Sequence, residues 1–177
     1  MSIYLVKPDL MHFGQYNDMM REWVLSGTRI APWFLDEPFE KIEDFAAFIR
    51  RLDDCEHGKL DDRYCSTTSY FVFDDNDTLL GAASLRHYLT IDGFNTFGHI
   101  GFGIRPSQRN KGYATLVLRL LLEQAKIKNM RKVLLGALDS NTASCRVIEK
   151  CGGILENTAA NPANNNEMIN RYWINIE

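Results

Sequence analysis

A basic, glycine-containing segment directly precedes the most apolar helical stretch of the sequence. Arg109, Asn110 and Lys111 are followed by Gly112, and a helix is predicted from about residue 112 to residue 128. The first turn of a helix presents unpaired backbone N–H groups and the positive end of the helix dipole. Glycine lets the backbone approach a phosphate closely, and the two cationic side chains add charge. The segment therefore predicts a binding site for a small anion.

The strand predicted just before this segment, at residues 98–104, has two unlike faces, because side chains alternate along a strand. The face predicted to point toward a core carries Ile100, Phe102 and Ile104. The other face carries His99, Gly101 and Gly103 and is nearly free of side chains. Glycines weaken a strand, so they indicate close approach of a ligand or of another part of the chain. Both interpretations, a ligand or simple close packing, stay open.

Two segments together resemble a known enzyme family. The spacing R-x-x-G-x-A of Arg109, Gly112 and Ala114, between a strand and a long helix, is similar to the acetyl-CoA pyrophosphate loop of the GNAT superfamily of N-acetyltransferases. The segment DSNTASCRVIEKCGG (139–153) is similar to the family's later N-x-x-[AS]…E-K-x-G segment. The wider string "LRH…GHIGFGIRPSQRNKGYA" resembles a bacterial subgroup of predicted acetyltransferases. The resemblance covers roughly residues 79 to 155.

The resemblance implies acetyl-CoA as cosubstrate, with no metal. Pantetheine would lie in a V-shaped cleft where the strand 98–104 splays from a parallel neighbour at 132–138, and the bare glycine face would give it room. The residues expected to bind acetyl-CoA are Phe102, Gly103 and Ile104 by their backbone, Arg109, Asn110, Lys111, Gly112, Tyr113 and Ala114 around the diphosphate, and Asn141 and Ser144 beside the pantetheine arm or the thioester. Asn141 and Ser144 are also expected to be catalytic.

One residue departs from the family pattern. Many members have a tyrosine at the position that matches Ile148, where it can protonate the departing thiolate. In this chain the leaving group must be handled by water, by Tyr113 or Tyr172, or by the proton of the substrate itself. The same departure motivates an alternative function, a non-catalytic acyl-CoA-binding or regulatory domain of the same fold.

Transfer of an acetyl group to a primary amine requires the neutral amine, so a positioned base assists the reaction. His99 lies on the bare-faced strand and titrates in the useful range, which makes it the candidate base or the residue that orders a water for it. The alternative is a histidine that a backbone carbonyl satisfies between sheet and helix.

Four further residues are candidates for the acceptor site. Trp33 and Phe34 lie in a loop that covers the cleft in similar proteins, although they could equally be core aromatic residues. Arg86 is predicted to contact an acidic group on the acceptor, or else to be solvated. His87 is predicted to be either a core histidine or a catalytic or substrate-binding residue. An acidic stretch, Asp53, Asp54, Glu56, Asp61 and Asp62, could attract a cationic amine or simply be solvated surface.

Hydrophobic periodicity places these residues on a short series of elements. Strands are predicted at 3–6, 66–73, 79–89, 98–104, 132–138, 154–156 and 169–176, with a polar loop, NTAANPANNN, between the last two. Helices are predicted at 10–26, from Pro38 to Leu52, at 112–128 and at 142–150. The order predicts one α/β domain over residues 1–177, with a mixed, largely antiparallel sheet flanked by helices.

Composition narrows the possible partners. The chain has 177 residues and a net charge of −3, so it lacks the basic excess of a typical nucleic-acid-binding domain. No apolar run is long enough for a membrane span or a signal peptide. The four cysteines have no CxxC spacing, which favours reduced, structural thiols. We therefore expect a cytoplasmic enzyme that acts on a small-molecule or peptide amine, binds neither nucleic acid nor membranes, and could form a homodimer.

Overall fold

The computed structural model describes residues 2–60, 65–162 and 164–176. In chain order the elements are β1 (Ile3–Val6), α1 (Phe13–Ser26), α2 (Ile42–Glu56), β2 (Thr67–Asp74), β3 (Leu79–Arg86), α3 (Ile91–Asn95), β4 (Ile100–Ile104), α4 (Tyr113–Ile127), β5 (Lys132–Leu138), α5 (Thr142–Lys150), β6 (Ile154–Asn161) and β7 (Asn164–Asn175). One 3-10 turn precedes α1, and a second, Pro106–Gln108, lies between β4 and α4. Within the described ranges, no helix is long and apolar enough to cross a membrane.

The strands form two antiparallel sheets that meet at a single point. The first sheet has the order β1-β2-β3-β4, and the second has the order β5-β7-β6. In the part of the chain that the structure describes, an isolated bridge between Gly98 and Leu135 is the one backbone pairing between β4 and β5. Gly98 has a φ of +73°, a conformation that side chains rarely adopt.

Beyond this bridge β4 and β5 diverge. Residues 100–102 and residues 135–138 line the same cavity, so a gap separates the two strands beyond the bridge, which is itself of the antiparallel type. Helix α4 connects the two strands in the chain and packs against β4. The predicted fold class is therefore confirmed: an α/β fold with a largely antiparallel sheet, flanking helices and a V-shaped cleft.

The first sheet is apolar on both faces because helices cover both. On β2, Phe71 and Phe73 belong to a core with α1 and α2, whereas Tyr70 and Val72 belong to a core with α4. The helices contribute their periodic apolar residues: Tyr16, Met19, Met20 and Trp23 from α1, Phe45, Phe48 and Leu52 from α2, and Val117, Leu118 and Leu121 from α4. These cores fix α1 and α4 on opposite sides of β4.

The glycine face of β4 is covered by the chain itself, not left open for a ligand. A Cβ atom at Gly103 would overlap the Ala31 carbonyl, and a Cβ atom at Gly101 would lie 3.1 Å from Pro32 Cβ. The segment between α1 and α2 therefore crosses this face in direct backbone contact. The prediction that these glycines make room for pantetheine was wrong; the close-packing alternative describes them, with a loop as the packed element.

β3 is shorter than predicted. It ends at Arg86, where the backbone N–H donates to the carbonyl of His99 at 2.8 Å. His87 instead donates its N–H to the carbonyl of Ser66, so the chain turns away from β4 at this point. The region predicted as a loop around residue 92 contains the short helix α3, whose N-cap Thr90 accepts a hydrogen bond from Gly93 N–H.

The asparagine-rich segment predicted as a loop forms a hairpin instead. β6 and β7 pair from Ile154 and Trp173 as far as Asn161 and Asn164. Asparagine is depleted in strands, which is why the composition indicated a loop. Side chains pair across the hairpin, since Thr158 Oγ1 donates to Asn170 Oδ1 at 2.7 Å.

Candidate active site

The start of α4 is built as an open anion cradle. Gly112 is the N-cap with a φ of +83°, and no side chain caps the helix. A Cβ atom at Gly112 would meet nothing within 4 Å, so the space in front of the helix is free of protein. The preceding Asn110 also has a positive φ, of 61°, which curls the chain around this space. The amide groups of the first turn therefore face an open cavity, as an anion requires.

Contacts to α1 hold the cradle in place. Glu22 forms an ion pair with Arg105 (2.6 Å between Oε2 and Nη2) and accepts a hydrogen bond from the backbone N–H of Ser107. Arg109 donates from Nε to the Ile104 carbonyl at 3.0 Å, and its guanidinium lies 5.5 Å from the centre of the Trp23 ring. The turn between β4 and α4 therefore contacts α1 both at its start, through Arg105 and Ser107, and near its end, through Arg109.

A cavity of about 590 Å³ extends from this cradle along the gap beside β4. The predicted cofactor residues on its wall are Phe102, Gly103, Ile104, Arg109, Asn110, Gly112, Tyr113, Ala114, Asn141 and Ser144. Lys111 lies outside this set, and its Nζ donates to Gln108 Oε1 at 2.9 Å. The structure therefore brings together all but one of the residues predicted for acetyl-CoA, which come from β4, from the turn before α4 and the start of α4, and from the N-terminus of α5.

The register of β4 leaves backbone groups free on the cleft side. Arg86 N–H donates to the His99 carbonyl and Arg105 N–H donates to the Leu80 carbonyl, so the odd-numbered residues of β4 bond to β3. The N–H and C=O groups of Phe102 consequently point toward β5. Among the described residues no strand pairs with Phe102 on that side, since the two sheets meet only at Gly98 and Leu135. An extended ligand with amide groups can bond there as an added strand does.

Asn141 and Ser144 stand where this cavity meets a second one. Asn141 caps α5, and its Oδ1 accepts a hydrogen bond from Ser144 N–H at 3.1 Å. Both residues line the second cavity too, which has a volume of about 220 Å³. The cap fixes the Asn141 side chain against the backbone of Ser144 at the junction, at the end of the cleft opposite the cradle.

The smaller cavity is mostly apolar but has two arginines on its wall. Its lining includes Arg29, Trp33, Arg86, Phe97 and Ile148, together with backbone and side-chain atoms of β4 and β5. Arg86 donates from Nη1 to the Gly98 carbonyl at 2.7 Å, and its guanidinium lies 5.7 Å from the centre of the half-exposed Trp33 ring. Burial lowers the pKa of Arg86 from its ordinary value.

Sequence comparison identifies the family. Residues 6–154 match the family model described as "Acetyltransferase (GNAT) domain". The chain belongs to the GNAT acetyltransferase family. The predicted family and the predicted acyltransferase activity are thereby confirmed. No curated protein gives a significant sequence match to this GNAT acetyltransferase.

Solved acetyltransferase structures share the fold of this GNAT chain. The microcin C7 self-immunity acetyltransferase MccE, in complex with acetyl-CoA and AMP, is 19% identical with a TM-score of 0.70, and the alignment covers 98% of this chain and 92% of that one. Spermidine N-acetyltransferase from Vibrio cholerae, in complex with CoA and spermine, is 18% identical with a TM-score of 0.68, covering 98% and 95%. A dodecameric structure of the Vibrio cholerae enzyme has a TM-score of 0.66 at 16% identity, covering 98% and 93%.

His99 does not line the cleft of this GNAT acetyltransferase. Its Nδ1 accepts a hydrogen bond from Leu134 N–H at 2.9 Å, and its ring lies against Trp173. Burial lowers its pKa to about 4, so the imidazole is neutral with its proton on Nε2. This geometry corresponds to the structural alternative, with a backbone N–H of β5 as the partner in place of a carbonyl.

Two candidate acceptor residues also lie away from the cleft. Phe34 is buried at 2% exposure in the core with α1 and α2, whereas its neighbour Trp33 lines the small cavity. His87 bonds through Nε2 to Thr68 Oγ1 at 2.8 Å, and burial lowers its pKa. The loop that carries Trp33 also supplies Arg29 to the cavity, a residue that the sequence gave no reason to single out beyond its place in that loop.

The acidic stretch does not line either part of the cleft where the structure describes it. Asp53 and Asp54 pair with Lys59, and Glu56 pairs with Lys7 at 2.6 Å. The two remaining members, Asp61 and Asp62, lie outside the described residues. Within the described ranges no group of three or more histidine, cysteine, aspartate or glutamate side chains is placed to hold a metal ion.

The structure places only some of the candidates for protonating the thiolate in the cleft. Ile148 is 2% exposed and lines the small cavity, so no hydroxyl stands at the family's tyrosine position. Tyr172 donates its hydroxyl to Glu149 Oε1 at 3.2 Å outside the cleft, and burial raises its pKa. Tyr113 lines the larger cavity beside the cradle. Ser144 is the hydroxyl-bearing residue that lines both cavities.

Proposed function

We propose that this GNAT acetyltransferase uses acetyl-CoA and transfers the acetyl group directly to a primary amine bound in the small cavity. The observation that supports this most is the continuous cleft, which runs from the uncapped N-terminus of α4 to the junction at Asn141 and Ser144. The open space before Gly112 fits a diphosphate. MccE, which shares the fold, was solved with acetyl-CoA, and this also supports the choice of donor.

Each part of the cleft has a role in binding the donor. The amide groups at the start of α4 and the Arg109 guanidinium bind the diphosphate. The free N–H and C=O groups of Phe102 bond the amides of the pantetheine arm. Asn141 and Ser144 then hold the thioester end at the mouth of the small cavity. Binding along three elements fixes the reacting carbon, and such positioning lowers the barrier to a direct transfer.

The transfer itself balances without a further reactant. The neutral amine forms a C–N bond to the acetyl carbon while the C–S bond breaks, the amine loses one proton, and the thiolate gains one. Among the described residues that line the small cavity, none is an aspartate, glutamate or histidine. We therefore assign acceptance of the amine proton to water, and the relay of a proton to the departing sulfur to the Ser144 hydroxyl.

A turnover assay tests this function. Purified protein is incubated with acetyl-CoA and a panel of primary amines, and the free thiol and the acetylated amine are both quantified. We expect equal amounts of the two products with at least one amine. Equilibrium binding of CoA is measured on the same sample to show that the donor site is intact. If the protein binds CoA but releases no thiol with any amine, the proposed transfer is overturned. That result would instead support the alternative function, a non-catalytic acyl-CoA-binding domain.

A further inference from the structure

The charge of the small cavity indicates what kind of amine it accepts. Its wall contains two guanidinium groups, Arg29 and Arg86, and no carboxylate among the described lining residues. Asn141 and Ser144 lie at its junction with the larger cavity, and the other lining side chains, Pro32 and Phe97 among them, are apolar. A ligand that occupies this space therefore meets two positive charges, two neutral polar side chains at one end and an otherwise apolar wall.

Arg86 is the deeper of the two cations. It is fixed by its hydrogen bond to the Gly98 carbonyl and by the Trp33 ring above it. The Cys65 thiol is a further hydrogen-bonding neighbour of Arg86, and among the described residues no carboxylate forms an ion pair with it. A guanidinium carries five N–H donors in a planar fork, so the one carbonyl leaves donors available for a ligand.

Arg29 lies at the entrance. Its guanidinium is 5.4 Å from the centre of the Phe97 ring, and the nearest carboxylate, Glu167 Oε2, is 3.9 Å from its Nη1. That distance is the edge of an ion pair, and the Arg29 side chain is 61% exposed. Such an exposed, loose pair contributes little, so an oxyanion with better geometry can replace it.

These contacts disfavour a polyamine. The second ammonium group of a diamine would lie near Arg29 or Arg86 with no described carboxylate in the cavity to pair with it, and burying an unpaired charge is costly. An oxyanion in the same place gains charge-assisted hydrogen bonds from a planar fork. The spermine-bound enzyme from Vibrio cholerae shares the fold, but fold alone does not carry substrate preference.

We infer that the acceptor is a small primary amine that also carries an oxyanion, a carboxylate or a phosphate, which Arg86 and Arg29 bind while the amino group faces Ser144. This inference rests on the proposed function, because it places the acceptor in the cavity next to the thioester. The cavity volume of about 220 Å³ limits the acceptor to a compact molecule.

Matched acceptors test the inference by thiol release. The pairs are α-amino acids against their carboxamides, and phosphoethanolamine against ethanolamine, with spermidine as the polyamine. Charge-assisted hydrogen bonds give an expected gain of about 10- to 100-fold in kcat/KM for the anionic member of a pair. The carboxylate and phosphate pairs show which oxyanion is preferred. Equal or faster turnover of the carboxamides, ethanolamine or spermidine would overturn the inference while leaving the proposed transfer intact.

Two variants test whether the preference for anionic acceptors depends on an arginine of the small cavity. Arg29→Gln removes an exposed charge and should raise KM for the anionic acceptors about 10-fold, with the carboxamides unchanged. Arg21→Gln is the control, because Arg21 is an exposed arginine on α1 that pairs with Asp18 and lies outside both cavities. An equal effect of the two substitutions on the anionic acceptors would contradict the role of Arg29.

A binding measurement covers the case in which no tested amine turns over. Calorimetric titration of the CoA-bound protein with each acceptor pair should still show tighter binding of the anionic member, and Arg29→Gln should reduce the difference about 10-fold while Arg86 remains. Absence of any preference in this titration would overturn the inference independently of catalysis.

Discussion

His99 Nδ1 accepts a hydrogen bond from Leu134 N–H at 2.9 Å, and the Leu134 carbonyl accepts one from His99 N–H at 2.7 Å. This reciprocal pair lies beside the Gly98–Leu135 bridge, the point from which β4 and β5 diverge. His99 therefore joins the two sheets at the closed end of the cleft. It positions β4 and β5, which flank the cleft, and it lines neither cavity.

His99→Ala should destabilise the fold, because it leaves the buried N–H of Leu134 without its acceptor. The expected loss in the free energy of unfolding is about 1–3 kcal/mol, measured by urea denaturation. His99→Asn can keep an acceptor near Leu134 and should lose less. Equal, negligible losses for both variants would show that this hydrogen bond does not hold the sheets together.

The depressed pKa of His99 also predicts how stability changes with pH. Its pKa is about 4 in the folded chain against 6.5 for an ordinary histidine, so the unfolded chain binds more protons between these values. Its contribution is complete above pH 6.5 and is lost as the pH falls toward 4. The free energy of unfolding of His99→Asn should therefore fall less steeply across this window than that of the parent protein. Parallel curves would contradict the assignment.

The pH–rate profile should follow the amine and not an imidazole. Since water takes the amine proton, log kcat/KM should rise with unit slope up to the pKa of the free acceptor amine. Two acceptors whose amine pKa values differ should give inflections that differ by the same amount. An inflection near pH 6.5 that is the same for both acceptors would indicate a histidine base after all.

Ser144→Ala should lower kcat by about 10- to 100-fold with little change in the Kd for CoA, because it removes the hydroxyl at the junction of the two cavities. Tyr172→Phe is the matched control: it also removes one hydroxyl, but that hydroxyl donates to Glu149 outside the cleft. Tyr172→Phe should keep kcat within about twofold of the parent value. A large loss in Tyr172→Phe together with a silent Ser144→Ala would reverse the assignment of the proton relay.

Gly103→Ala should destabilise the protein by about 1–3 kcal/mol, since its Cβ would overlap the Ala31 carbonyl and force the covering loop outward. Gly101→Ala should cost less, because its nearest contacts, Pro32 Cβ and Ser84 Oγ, are each 3.1 Å away. Thermal unfolding of both variants measures the difference. Equal stability of Gly103→Ala and the parent protein would mean that the loop does not pack on this face.

The parts of the fold and site that depend on local chemistry could be predicted from the sequence. The bounds of α5, at residues 142 and 150, and the start of α4 after Gly112 follow from local caps and apolar periodicity. The fold class was confirmed because the order of helices and strands restricts the topology to few possibilities. The roles of the individual cleft residues, the single domain and the cytoplasmic location remain predictions.

The predictions that the structure does not support concern residues whose contacts are distant in the sequence. The sequence around Gly101 and Gly103 does not indicate which part of the chain covers this face of β4. The covering residues are Ala31 and Pro32, which lie about seventy residues earlier in the chain. Arg29 reaches the small cavity from the same loop. His99 was a reasonable base by residue type, but the bond to Leu134 that occupies its lone pair forms across the junction of the two sheets.

Binding of CoA to Gly112→Glu, compared with Gly152→Glu, tests the central claim most directly. Both glycines have a positive φ, of 83° and 90°, and a Cβ at either position meets nothing within 4 Å, so the two substitutions have equal strain and equal charge. Only Gly112 lies at the α4 cradle. By calorimetric titration we expect the Kd for CoA to rise at least about 100-fold in Gly112→Glu and to stay near the parent value in Gly152→Glu. Unchanged CoA affinity in a folded Gly112→Glu protein would contradict the account.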